Sequence, residues 1–189
     1  MDKIVLRVVA MTLLAISGVW ANSSLSDIIT IAKGSTLTEL QQFAMRAKWR
    51  PILRESHDLW SSREAIAFQS IRSKVGSKNI ALVVYSVDFF GTKHDVFFFF
   101  YQDKLFAVNF FIEDLNDAEF VRLVQEIGGS KENGYLGYGK PIEVESPYIA
   151  YMWYLTASLD QTLIMTYLNQ NVTPIVNIQI VHEKLLPAS

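Results

Sequence analysis

Residues 95–114, DVFFFFYQDKLFAVNFFIED, place four phenylalanines in a row and return to phenylalanine at 106, 110 and 111. Side chains on a strand alternate between the two faces of a sheet. Read as a hairpin turning at Asp103-Lys104, the stretch therefore sends Phe97, Phe99 and Tyr101 one way and Phe98 and Phe100 the other. On the partner strand, Phe106, Val108, Phe110 and Ile112 oppose Leu105, Ala107, Asn109 and Phe111. The hairpin is apolar on both faces, so one face must take helices. The other is either covered as well or open to a ligand or partner. Large exposed apolar patches are unusual in soluble monomers, which makes burial of both faces the expectation.

The flanking sequence supplies the rest of the sheet. NIALVVYSV, from Asn79, also alternates, and Gly91 to His94 reads as the turn into the phenylalanine strand. Three strands joined by short loops pair antiparallel, because parallel neighbours need a crossover of about a dozen residues. Upstream, Thr36 and Glu39 have capping-box spacing, and Leu37, Leu40, Phe43, Ala44 and Ala47 then share one helical face. Pro51 ends that helix. Residues 22–35 read as a short strand or ordered lead-in. Residues 52–78 carry a second box at Ser61 and Glu64, which favours a helix although IAFQSI also alternates.

Downstream, Asn116 and Glu119 form a third box, followed by Phe120, Leu123, Val124 and Ile127 at helical spacing, with a stop at Gly128-Gly129. A polar link, SKENGYLGYGKP, leads to three further strands, PYIAYMWYLT, TLIMTYLN and TPIVNIQIVHEKL. In the last, Val176, Ile178 and Ile180 face away from Asn177 and Gln179. The expected fold is α+β, an antiparallel sheet with two or three helices packed on one face. Its element order suggests a doubled α-βββ unit, with halves at residues 36–113 and 114–186.

The first 21 residues read as a secretory signal peptide: MDKIVLR is a charged start, VVAMTLLAI an apolar run and SGVWA a small-residue exit. That run is shorter than the roughly 18 to 20 residues that span a bilayer, so cleavage near Ala21 is expected rather than a membrane anchor. The mature chain, residues 22–189, is then a single α+β domain, periplasmic or secreted from a bacterium, with no stable membrane span. Lys3 and Arg7 leave with the leader from 17 basic side chains, and Asp2 from 19 acidic ones, so the net charge moves from −2 to −3. With no basic run, nucleic acid is excluded as a main partner. The absence of cysteine excludes disulfides, thiolate metal sites and a lipidated anchor.

Chemistry is sparse. His57, His94 and His182 are each followed by an acid, Asp58, Asp95 and Glu183. This is the only support for a hydrolase using a histidine and a carboxylate. Adjacent strand residues point to opposite faces, however, so His94-Asp95 and His182-Glu183 do not cooperate as pairs, and His94 falls in an expected turn. No serine-nucleophile motif or phosphate loop occurs. The glutamates and aspartates at 113, 114, 117, 143 and 145 read as a solvated acidic rim. No catalytic, cofactor-binding or metal-ligating residue is assigned, and no cofactor is expected.

From Phe99 to Leu185 the chain is similar to small exported bacterial αβ-sandwich proteins of the outer-membrane assembly lipoprotein and β-lactamase-inhibitor-like folds. The shared marks are the apolar strand turning through YQDKLFAVNFF, a helix, the GYGKP turn at 137–141, the tryptophan strand YMWYL, and LIMTYL leading into IVNIQIV. The resemblance implies a helix-then-antiparallel-sheet fold and no activity, and the anchoring cysteine of the lipoproteins is missing. The leading functional expectation is a non-enzymatic periplasmic binding or protein-interaction module of unknown partner, a further periplasmic or envelope protein. The alternative is a carrier of a lipid or other apolar small molecule, held in a cavity that includes Met165. Residues expected at the partner or ligand surface are Phe98, Phe100, Phe110, Tyr135, Tyr138, Tyr151 and Trp153.

Overall fold

The computed structural model describes residues 25–32, 34–113, 115, 116, 118, 119, 122, 123, 140–143, 148–154, 161–168 and 175–185. In chain order it begins with α1 (Leu25–Ile31), α2 (Leu37–Arg46), β1 (Arg50–Pro51), α3 (Ser56–Trp60), α4 (Arg63–Ile66) and α5 (Gln69–Val75). The long strands β2 (Ile80–Phe89), β3 (Thr92–Tyr101) and β4 (Lys104–Glu113) follow. After helical backbone at 118–119 and 122–123 come β5 (Lys140–Glu143), β6 (Tyr148–Tyr154), β7 (Gln161–Leu168) and β8 (Ile175–His182).

The strands form one antiparallel sheet in the order β1-β2-β3-β4-β8-β7-β6-β5. The fold is α+β, as the periodicity requires. The last strand of each run of three lies at the centre, β4 against β8, with β2 and β6 further out. Both edges are short strands containing proline, Arg50-Pro51 and Lys140-Pro141. A residue without an N–H is suited to an edge, because it interrupts further strand addition.

Two cores flank the sheet. Leu25, Ile28, Leu40 and Ala44 of α1 and α2, with Leu115 and Leu123, pack on Val87, Phe98, Phe100, Val108, Phe110, Val176, Ile178 and Ile180. On the opposite face, Leu59, Trp60, Ala65 and Phe68 of the α3–α5 layer cover Ile80, Val84, Phe97, Phe99, Phe106 and Ala107. Phe97 to Phe100 are all at most 1% exposed. Both faces of the phenylalanine hairpin are therefore closed, the second by the segment whose pattern is ambiguous between helix and strand.

Several local readings change. Residues 25–31 are a helix rather than a strand or lead-in, and Leu25, Ile28, Ile29 and Ala32 are buried at i, i+3, i+4 and i+7. The Thr36 box forms, with the Glu39 N–H donating to Thr36 Oγ1 at 3.2 Å and the Thr36 N–H to Glu39 Oε2 at 2.7 Å. The Asn116 box forms as well, with both bonds at 3.0 Å. The Ser61 box does not: Ser61 Oγ donates to the His57 carbonyl, and Ser62 is the N-cap of α4.

The hairpin turns sit earlier than expected. They are Phe90-Gly91, at φ 53° and 80°, and Gln102-Asp103, at φ 48° and 61°. Two consecutive left-handed residues match the twist of the flanking strands, and this outweighs the poor fit of Phe and Gln to that region. His94 accordingly lies in β3 opposite Val87, not in a turn. A bulge opposite Phe99/Phe100 puts Phe106 on the same face as Ala107 and returns Leu105 to the face of Val108. Strict alternation predicts the reverse for both residues, because it has no place for the inserted residue.

Candidate functional site

Of the residues expected at a binding surface, Phe98, Phe100 and Phe110 belong to the core. Phe98 lies on the Trp49 ring, with centroids 5.9 Å apart, and Phe110 on Phe89 at 5.3 Å. Those neighbours take up the space around the Phe98 and Phe110 rings, which present no surface to a partner. Tyr151 and Trp153 lie in β6, paired in register with Met165 and Leu163. Tyr135 and Tyr138 lie outside the described residues, as do residues 1–24 and the link at 128–139.

The histidines are separated. His57 is exposed and 3.7 Å from Asp58. His94 is 8% exposed and packs against the Phe89 ring. Burial pushes its pKa below the ordinary imidazole value, against smaller upward pulls from a Phe111 backbone hydrogen bond and from Glu113, Asp88 and Asp95. Asp95 points to the opposite face and pairs with Arg54 at 3.1 Å, as adjacent strand positions require. His182 Nδ1 is buried without a hydrogen-bond partner among the described residues. Among those residues no group of three His, Asp or Glu is placed to hold a metal ion. No helix among them is long and apolar enough to cross a membrane.

Two recesses are lined by the described residues. The smaller, about 280 Å³, lies where the start of α2 meets the β3–β4 turn and is lined by Leu37, Lys78, Asn79, Ala81, Phe100, Gln102 and Asp103. Asp103 is engaged there, accepting from the Leu37 N–H at 3.3 Å in the first turn of α2. Negative charge is favoured at that helix end.

The larger is an open groove of about 500 Å³ between α3 and α5, lined by His57, Trp60, Ser61, Gln69, Arg72 and Ser73. Gln69 Nε2 donates to the Trp60 carbonyl at 2.9 Å and ties the two helices together. The Arg72 guanidinium lies 4.6 Å from the centre of the Trp60 ring. It makes no ion pair with an acidic group among the described residues, and its Nε is buried with no acceptor. Trp60 is held in turn by Phe99 beneath it, at 5.7 Å between ring centres.

A buried polar link anchors this layer to the sheet. Asn109, on β4, donates to the Glu64 carbonyl of α4 at 2.7 Å, and Asn177 of β8 donates to Asn109 Oδ1 at 2.8 Å. Arg63 bridges Glu64 at 3.0 Å and Glu113 at 2.6 Å while lying over the Phe111 ring. The groove thus stands on a support fixed at α4, with a polar wall and a cation in it. The groove is not legible in the amino-acid sequence, because its residues come from two short helices separated by α4. The one available signal was the spacing of Trp60, Phe68 and Arg72.

The fold and groove define an α+β protein with a polar recess on a helical layer. No protein-family model, curated protein or solved structure matches the chain.

Proposed function

We propose that the mature chain is an exported, non-enzymatic binding module that engages another envelope protein through the groove between α3 and α5. The groove carries this reading. Its volume is within the range of ligand-binding clefts, and its lining combines the Trp60 ring with the polar groups of His57, Ser61, Gln69, Arg72 and Ser73. The layer that forms it is anchored through Asn109 and Arg63 instead of resting only on apolar contacts. A supported recess is what recognition needs, since ordering a loose one on binding costs affinity. Export rests on the three-part leader at residues 1–21.

The test uses two versions of the full-length precursor expressed in a bacterial host, with a photocrosslinking residue at Ser73 or at Lys93, an exposed position on β3. A discrete protein adduct in the envelope fraction from Ser73 and none from Lys93 is the expected result. Equal labelling at both sites, or none at Ser73, overturns the groove as the binding surface. The same preparation tests export: the recovered chain should begin at Asn22, and a chain that retains Met1 in the cytosolic fraction rules it out.

A further inference from the structure

We infer that the groove recognises a carboxylate, with Arg72 as the residue that reads it; this rests on the binding role proposed for the same groove. Arg72 is held over Trp60, with its guanidinium carbon 4.6 Å from the ring centre. An indole face stabilises a cation without neutralising it. The charge has no carboxylate partner among the described residues, and Nε–H is buried with no acceptor. Nε is shut away from the groove, so the terminal Nη groups, which make no ion pair among the described residues, are the donors that a ligand there meets.

A guanidinium fork matches a planar carboxylate through paired N–H donors. His57 and Ser73 line the same groove. The carboxylate belongs either to an acidic side chain of a partner polypeptide or to a small free acid.

The experiment follows the Arg72 Nε–Hε signal of the mature protein by NMR during titration with three probes. These are sodium acetate, a blocked peptide containing one glutamate, and the same peptide with glutamine in its place. The glutamate peptide should shift the signal saturably and the glutamine peptide should not. Arg72→Lys, which keeps the charge but loses the fork, should weaken binding by about tenfold or more. Saturable binding of acetate equal to that of the peptide assigns the site to small acids, still as carboxylates. Arg72 also packs on Trp60, so Ser73→Asp, which places a competing carboxylate in the groove, serves as a second variant and should reduce peptide binding. No saturable shift with either carboxylate, or equal response to glutamate and glutamine, overturns the inference. A Ser73 adduct obtained together with that result leaves the groove as a binding surface and removes only the carboxylate.

Discussion

His94 shows how position changes the meaning of a side chain. An imidazole in a turn is solvated, whereas one in β3 against Phe89 resists protonation because burial penalises the charged form. The unfolded chain keeps the ordinary value of 6.5, so on acidification it takes up the proton first. Stability from this group is therefore full above that value and falls as pH drops below it. The urea midpoint should be lower at about pH 5.5 than at about pH 7.5, and His94→Gln should narrow that difference. An unchanged difference in the variant would place its origin elsewhere. Asn109 carries a comparable burden without titrating. Asn109→Leu leaves the Glu64 carbonyl and an Asn177 bond unmade and should cost about 2 to 3 kcal/mol in urea unfolding. Adding Asn177→Leu should recover part of that loss, because the second orphaned group goes with it.

The β3–β4 hairpin and its covering helices act as one packed element. Phe99 touches Phe68 at 4.2 Å between ring centres and also meets Trp60 and Phe106. Phe99→Ala should therefore cost about 3 to 5 kcal/mol, read from the shift in denaturant midpoint. The turn offers the opposite opportunity. Gln102 holds φ 48°, a region that asparagine tolerates better, and Gln102→Asn should raise stability by about 0.5 kcal/mol. A fall instead would show that the glutamine contact with the Tyr101 hydroxyl matters more than backbone fit. Two of the three capping boxes were readable because their bonds close within four residues. The Ser61 box shares that spacing but fails, since the chain begins α4 one residue later. Alternation through β3 was equally readable. Phe106 was not, because a bulge depends on how two strands meet.

Across the whole molecule, stability should fall off from the centre of the sheet. β4 and β8 have partners on both sides and bury residues in the larger core, whereas β1 pairs through two residues at an edge. Native-state hydrogen exchange should find the amides of β4 and β8 exchanging last and those of β1 among the first. Faster exchange in β8 than in β2 would contradict this order. The amino-acid sequence was sufficient for the α+β class, the antiparallel pairing, the two-faced apolar hairpin and the helices at Thr36 and Asn116, since all of these follow from periodicity and bonds between near neighbours. What covers the second face of the hairpin, where Phe106 points, the burial of His94 and the joining of Trp60, Gln69 and Arg72 into a groove emerged only from the folded chain. Each depends on how separate elements meet in space, where packing and desolvation outweigh local preference.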